Sequence, residues 1–124
     1  MSTRSVVAYR TESGWRGRYI HFDGYTDYMN PALTTIVQRD GFDKAKAILC
    51  DEHRSWSQVD PNVKPSANEF LGDRGEVVEG YGVAYTDEPD DFWYTETTEL
   101  WPWIEFIHIL EADGTVTSTE APRK

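Results

Sequence analysis

Cysteine and long apolar runs are both scarce in this sequence. Cys50 is the only cysteine among 124 residues, so it has no partner for an internal disulfide and fits a reducing cytoplasm. No run approaches the roughly 20 apolar residues of a membrane-spanning helix, and no charged-then-apolar leader opens the chain. These absences predict a cytoplasmic protein with no membrane segment, and they leave its oligomeric state open.

Catalytic motifs are missing as well. The chain has no GxSxG, P-loop, GxGxxG or HExxH pattern, the usual signatures of nucleophilic, phosphate-binding, dinucleotide-binding and metal-dependent sites. Cys50 and His53 are three residues apart on a predicted helix and could act as nucleophile and base. A small buried thiol is the commoner role for a cysteine that follows Ile48 and Leu49. The sequence therefore predicts no cofactor, and no motif in it supports an enzymatic function.

Lysine and arginine are absent from residues 75–122, which carry twelve acidic side chains. Residues 1–74 hold ten basic and ten acidic side chains, so the net charge of −10 comes from the second part of the chain. Such a field repels nucleic acid and anionic membranes, and it attracts basic partners over a Debye length of roughly 8–10 Å. We therefore expect no direct binding to nucleic acid or membrane, and a partner with a basic surface.

The chain is rich in aromatic and β-prone segments instead. With 39% hydrophobic and 14% aromatic residues it can form a modest core in one domain, residues 1–124. The predicted order is a β-hairpin at 5–22, two helices within 30–53, a loop at 54–75 and acidic antiparallel strands at 76–119. Asn30-Pro31 is a typical helix start, and residues 103–111 predict an interior strand because both faces are apolar. The fold class predicted is α+β, a mainly antiparallel sheet with two helices packed on one side.

The stretch YIHFDGYTDYM, residues 19–29, lies where a strand gives way to a helix. A metal site there would gather several side chains: His21, Asp23, Asp51, His53 and His108. Imidazole and carboxylate are competent ligands, but no spacing such as HxxxH or CxxC supports the site, so we expect no metal. The Asp-Gly pair instead predicts a turn in which Asp23 accepts backbone N–H groups. His108 alternates with apolar residues and is predicted to be a core or edge histidine.

Arginines gather in the first hairpin against a single acidic residue, Glu12. They are Arg4, Arg10, Arg16 and Arg18. Guanidinium groups suit phosphate geometry, so a small anionic nucleotide is one possible ligand. The residues predicted to bind it are Arg16, Arg18, His21, Asp23 and Tyr25. The alternative is that the arginines pair internally with the acidic second half or form a solvated face.

Aromatic rings stand among carboxylates in the second half of the chain. The strand predicted at residues 92–98 can bury only one face, so Trp93, or the Phe92 and Tyr94 pair, is expected to stay outside. Exposed rings as anchors and carboxylates that steer a basic partner form a protein-binding surface. The residues predicted to form it are Trp93, Tyr94, Trp101, Asp87, Glu88, Asp90, Asp91, Glu96 and Glu99. The alternative is that the rings belong to the core and the acids keep the domain soluble.

Four stretches within about residues 1–90 carry a family resemblance. They are MSTRS, RYIHFDGYTDYMNPALTTIV, DEHRSWSQVDP and EVVEGYGVAYTDE. They resemble small proteins of phages, especially phages of actinobacteria, whose usual pattern is STRS followed by HWDGYP. This chain keeps HxDGY at residues 21–25 but has Phe22 for the tryptophan and Thr26 for the proline. The resemblance implies a phage origin and a place in the host cytoplasm, and it brings no activity with it.

These observations lead to two hypotheses. The first is a phage-encoded cytosolic protein that docks a host protein through the acidic, aromatic surface and modulates or inhibits it. The charge density, twelve acids over residues 75–122, is too moderate to make DNA mimicry the default form of this docking. The alternative is a small-ligand binder that holds an anionic nucleotide with the arginine hairpin and the His21–Tyr25 loop.

Overall fold

The computed structural model describes residues 3–63, 75–86, 91–98, 100 and 102–121. Their strands are β1 (Arg4–Thr11), β2 (Gly14–Ile20), β3 (Ser55–Val59), β4 (Gly75–Val78), β5 (Gly82–Tyr85), β6 (Tyr94–Thr95), β7 (Ile104–Leu110) and β8 (Val116–Glu120). Their helices are α1 (Thr26–Asp40) and α2 (Phe42–Lys46), and α2 continues into a π turn at Ala47–Asp51. A helical segment thus separates the first hairpin from the later strands.

One mixed sheet joins strands from both halves of the chain. Its order is β4-β5-β3-β2-β1-β7-β8, and β6 also pairs with β2. The β1–β7 and β2–β3 pairs are parallel and the other pairs are antiparallel. The helices pack beside this sheet, so the predicted α+β class with a mainly antiparallel sheet is confirmed.

The first hairpin forms as predicted, with β1 and β2 paired from Ser5 and Ile20 to Thr11 and Gly14. Gly17 lies at the centre of this pairing. A Cβ atom at that position would lie 2.2 Å from the carbonyl oxygen of Val7. Glycine therefore permits the close approach of the two strands.

Apolar side chains are buried on both faces of the sheet. The core on the helix side includes Val7, Ile20, Met29, Leu33, Ile36, Leu49, Trp56 and Leu110. The core on the opposite side includes Val6, Ala8, Trp15, Tyr94, Ile104, Ile107 and Ile109. Successive residues of a strand point to opposite faces, which explains why Val6 and Val7 enter different cores. The interior strand predicted at 103–111 is confirmed, because β7 lies between β1 and β8.

Three side chains cover the end of the π turn. The donors are Nδ1 of His53, Nε1 of Trp56 and Nε of Arg18, which lie 2.6, 2.8 and 2.7 Å from the carbonyl oxygens of Ile48, Leu49 and Cys50. The last carbonyl groups of a helix have no partner inside the helix, and a buried one left unpaired is destabilising. These bonds therefore fix the end of the helical segment to β2 and β3.

The first helix begins earlier than its sequence signals predict. Asn30-Pro31 was expected to start it, but α1 begins at Thr26 and contains Pro31. Met29, in the added turn, is fully buried in the core. Tertiary packing rather than a side-chain cap therefore stabilises this start, since isolated helix ends gain little stability on their own.

Two other segments differ from their predictions. Residues 55–59 fall in the predicted loop 54–75 but form β3, which pairs with β2 and β5 and buries Trp56. Its pattern SWSQV is short, half polar and interrupted by a register shift, which hides the strand signal. In the predicted strand 92–98, only Tyr94–Thr95 pair as β6. The second of the two helices predicted within residues 30–53 runs from Phe42 to Asp51.

Candidate functional site

Trp93 lies between two arginine side chains of the first hairpin. The guanidinium carbons of Arg16 and Arg18 are 3.8 and 3.4 Å from the centroid of its ring. Tyr9 meets the same ring edge-on at 6.3 Å between centroids. Alternation along β2 puts Arg16 and Arg18 on one face. Strand β6 pairs Thr95 with Arg16, so Trp93, two residues before Thr95, lies on that same face. Cation–π contacts therefore hold Trp93 within the protein.

Arg18 is the buried centre of this arrangement, with 2% of its surface exposed. Besides the Cys50 carbonyl, its guanidinium donates to the Phe92 carbonyl oxygen at 2.9 Å and lies 2.7 Å from Oδ1 of Asp91. The hydrogen bond from Arg18 lowers the pKa of Asp91 below its usual range. Arg18 thus joins β2, the end of the π turn and the segment that leads into β6.

Arg10 makes a second connection between the two halves of the chain. Its Nε and a terminal nitrogen donate to the two carboxylate oxygens of Glu111 at 3.0 and 2.9 Å. Glu111 also accepts a 2.6 Å bond from the hydroxyl of Thr117. The bonds from Arg10 lower the pKa of Glu111. Arg10 and Arg18 therefore follow the internal-pairing alternative that the sequence left open.

The aromatic rings of the second half have different fates. Tyr94 is buried in the core opposite the helices, and Trp93 is half-buried against the arginines. Phe92 is 52% exposed and Trp103 is 63% exposed. Phe92 rests edge-on against Tyr94, with 4.9 Å between ring centroids. Among the described rings of the second half, Phe92 and Trp103 are thus the large ones open to solvent. The sequence had selected Trp93, Tyr94 and Trp101 for the surface and had offered Phe92 with Tyr94 as an alternative outward pair.

The predicted acidic residues are only partly within the described part of the chain. Asp91 and Glu96 are exposed there. Glu96 packs over Gly14, where an added Cβ atom would collide with its carboxylate. Glu105 and Glu120, which the sequence did not select, are also exposed. The predicted residues that lie outside the described ranges are Asp87, Glu88, Asp90, Glu99 and Trp101.

The residues of the HxDGY motif connect β2 to α1, as predicted for a turn. The hydroxyl of Tyr19 and Nδ1 of His21 are 2.8 Å apart. Burial and the nearby charge of Arg4 lower the pKa of His21. Asp23 adopts a positive φ of 57°. Its carboxylate was predicted to accept backbone N–H groups, but the bond it accepts within the described residues is a long one of 3.4 Å from the side-chain amide of Gln58. His21 and Asp23 of the motif thus have hydrogen-bond partners within the protein.

The five side chains predicted to bind an anionic nucleotide do not converge. By alternation along the strand, His21 points away from the face that carries Arg16 and Arg18. Arg18 is committed to its internal partners, and Tyr25 lies at the start of α1 with an exposed ring. The sequence pattern placed these residues near one another along the chain, but the strand carries them to different surfaces.

The Cys50 thiol is buried and its neighbours do not activate it. Burial raises its pKa to about 12. Its sulfur lies 3.7 Å from the Val7 carbonyl oxygen, while Nδ1 of His53 is occupied by the Ile48 carbonyl. The buried-thiol interpretation is therefore confirmed. Among the residues that the structure describes, no three or more histidine, cysteine or acidic side chains are grouped to hold a metal ion.

His108 forms a polar connection inside the core. It is fully buried, its Nε2 donates to the Gly24 carbonyl at 2.6 Å, and its Nδ1 lies 2.7 Å from the hydroxyl of Ser118. The side-chain amide of Asn30 donates to the same hydroxyl oxygen at 2.9 Å. Because a carbonyl can only accept, Nε2 carries the proton and Nδ1 accepts from Ser118. The core-histidine prediction is confirmed, and burial lowers the pKa of this group.

Comparisons with known proteins add no relative. No family model, no curated protein and no solved structure matches the chain. Within the described ranges, no helix is both long enough and apolar enough to span a bilayer. Function is therefore inferred from the exposed rings and the acidic charge of the second half of the chain.

Proposed function

We propose that this protein docks a partner protein with a basic surface through Phe92, Trp103 and the exposed acidic side chains of residues 91–120. The observation that carries the proposal is the exposure of two large aromatic rings, 52% and 63%, in a part of the chain with no Lys or Arg between residues 75 and 122. The resemblance to phage proteins suggests that the partner is a host protein whose activity is modulated or inhibited by the docking.

The rings supply the binding energy in this proposal. Covering a phenylalanine or tryptophan side chain removes a large apolar area from water and contributes roughly 1.5–3 kcal/mol. Phe92 is already supported by Tyr94, and the backbone carbonyl of Phe92 is held by Arg18. A side chain held in place before binding loses less conformational entropy when a partner covers it.

In this proposal the carboxylates select the partner by its charge. Glu96, Glu105 and Glu120 are exposed, and residues 75–122 contain no lysine or arginine. The carboxylate of Asp91 is exposed too, but it is already paired with Arg18. Complementary charge raises association rates by steering the encounter, and salt screens this effect. We therefore expect docking that weakens as the ionic strength rises.

The nucleotide-binding alternative has less support. A phosphate site needs guanidinium groups that are free to form a fork around oxygen atoms. Arg18 uses its donors on Cys50, Phe92 and Asp91, and Arg16 lies against Trp93. Binding a phosphate there would first require this internal arrangement to open.

A capture experiment with matched variants tests the proposal. The protein is immobilised and exposed to a lysate of the presumed bacterial host at low and moderate salt, and the captured proteins are identified by mass spectrometry. Phe92→Ala and Trp103→Ala are compared with Phe22→Ala, whose ring is 41% exposed but lies in the first half of the chain. We expect a basic protein to be captured at low salt and its affinity to fall about tenfold in the first two variants, because each loses a hot-spot contact.

Comparison with the Phe22→Ala control shows which results would contradict the proposal. If Phe22→Ala weakens capture as much as Phe92→Ala and Trp103→Ala do, the acidic half is not the docking surface. If the captured protein resists salt and is acidic, the electrostatic part of the proposal is wrong.

A further inference from the structure

Strand β8 forms one edge of the sheet that the described residues build, and its own five residues carry little of the usual protection of such edges. Among the described residues it pairs with β7 alone, in continuous register over five residue pairs. Edge strands commonly carry lysine, proline or a bulge that prevents another strand from joining them. The sequence of β8, VTSTE, contains none of these, and valine and threonine favour extended structure.

Two hydrogen bonds decide which backbone groups of β8 face outward. The Glu111 N–H donates to the Thr115 carbonyl, and the Ala121 N–H donates to the Glu105 carbonyl, both at 2.9 Å. Hydrogen-bonded pairs alternate along an antiparallel ladder. The residues whose backbone groups turn toward β7 are therefore Thr115, Thr117, Thr119 and Ala121, and those that turn away are Val116, Ser118 and Glu120.

Helix α1 covers one end of this outward row. The side-chain amide of Asn30 donates to the Val116 carbonyl at 3.0 Å, and it also reaches the Ser118 hydroxyl. The Glu120 carbonyl has a long 3.4 Å contact from the hydroxyl of Thr119. An incoming strand would thus use the backbone groups of Ser118 and Glu120, because Asn30 occupies the Val116 carbonyl and contacts Ser118 only at its hydroxyl.

Apolar and acidic groups flank the end of β8 that carries Glu120. Glu105 pairs with Ala121, so Trp103, two residues before Glu105, lies where β8 ends. Trp103 is the most exposed large apolar residue of the described chain, and Glu105 and Glu120 are exposed as well. An extended segment with lysine or arginine at alternate positions fits this edge, because its backbone can pair while its charges meet carboxylates.

We propose that the edge of β8 accepts an extended, basic segment of the partner protein as an added strand. This inference rests on the proposed docking function and specifies the form of the partner: main-chain pairing at Ser118 and Glu120, with Trp103 as an apolar anchor. A second copy of the chain fits less well, since two molecules of net charge −10 repel each other.

The test uses a decapeptide of alternating lysine and valine, with a glutamate–valine decapeptide as the control. Amide hydrogen exchange of the protein is followed by NMR as each peptide is added. We expect the lysine peptide to slow exchange at Ser118 and Glu120 and to shift the Trp103 indole resonance. The glutamate peptide should change none of these signals.

Two variants at one position separate backbone pairing from charge. Glu120→Pro removes an outward N–H together with the carboxylate, while the bonds to β7 remain, since proline is tolerated on the open side of an edge strand. Glu120→Gln keeps the N–H and removes only the charge. The Kd of the lysine peptide should rise about tenfold in the proline variant, which loses one backbone bond and one exposed ion pair. It should rise about twofold in the glutamine variant, which loses the ion pair alone.

Several outcomes overturn the added strand. They are an unchanged Kd in Glu120→Pro, protection of amides elsewhere, or no binding of the lysine peptide. Protection of Ser118 that grows with protein concentration alone would assign the edge to a second copy. If Phe92→Ala releases a captured host protein and Glu120→Pro does not, docking stands without the added strand; if neither variant releases it, the docking proposal fails as well.

Discussion

Replacing Arg18 by methionine tests how the segment of Asp91 and Phe92 is attached to the rest of the molecule. Methionine preserves most of the side-chain length and apolar volume but has no donor. The substitution removes the bonds to the Cys50 and Phe92 carbonyls and the contact with Asp91, and it leaves the buried Cys50 carbonyl without this partner. Arg16→Met is the matched control, because it removes an exposed guanidinium from the other side of the same Trp93 ring.

The loss in free energy of unfolding should be several-fold larger in Arg18→Met than in Arg16→Met. A buried carbonyl left unsatisfied is destabilising by about 1–3 kcal/mol, and the lost bond to Phe92 adds about 1 kcal/mol. Asp91 is exposed and regains water, so its contribution is small. We expect a loss of about 3 kcal/mol for Arg18→Met, and about 0.5–1 kcal/mol for Arg16→Met, which loses an exposed cation–π contact.

Urea unfolding followed by tryptophan fluorescence measures both values. An unchanged m-value with a lower midpoint would assign the change to native stability rather than to a different unfolded state. A loss below about 1 kcal/mol for Arg18→Met, or one no larger than that of Arg16→Met, would contradict this expectation, since burial would then not distinguish the two arginines.

Three further predictions concern buried groups away from the acidic surface. Burial lowers the pKa of His108, so below about pH 6.5 the unfolded chain takes up a proton that the folded chain does not. The free energy of unfolding should therefore fall as the pH decreases, by up to about 1.4 kcal/mol per pH unit. Urea midpoints of His108→Gln across pH 7 to 5 should lack this component, and an equal slope in both proteins would exclude it. Gly17→Ala should destabilise the fold by about 1–3 kcal/mol in thermal unfolding because its Cβ meets the Val7 carbonyl, whereas Gly114→Ala, with open space around its Cβ, should lose only about 1 kcal/mol from its positive φ. Cys50 should react with a thiol reagent only when urea unfolds the protein, and rapid labelling of the native state would contradict its burial.

Local patterns were sufficient for much of the fold. The β-prone residues of SVVAYR and WRGRYIHF, on either side of the turn TESG, predicted the first hairpin, and the doubly apolar run at 103–111 predicted the interior strand β7. Strand β3 escaped because its stability comes from neighbours distant in the chain, β2 and β5, rather than from its own SWSQV pattern. The start of α1 was misplaced for the same reason, since burial of Met29 outweighs the Asn30-Pro31 signal.

The candidate site was predictable in kind but not in detail. Composition alone predicted an acidic, aromatic second half and offered internal pairing of the arginines as one alternative. The choice of which ring faces out depended on β6, a two-residue strand that sets Trp93 against Arg16 and Arg18. Alternation then turns Phe92 and Tyr94 to the opposite side, where Tyr94 fills the core and Phe92 remains exposed. Such a short pairing leaves almost no local signal.

The arginine hairpin and the acidic segment therefore act together rather than as separate sites. Arg18 holds the backbone of Phe92 and the carboxylate of Asp91, so it fixes the position of an exposed ring that we propose as a docking anchor. An anchor that is ordered before binding loses less entropy when it is covered. It follows that Arg18→Met should weaken docking although Arg18 itself is buried, and that Arg16→Met should weaken it less. A partner affinity that ignores Arg18 would mean that Phe92 is positioned by Tyr94 alone.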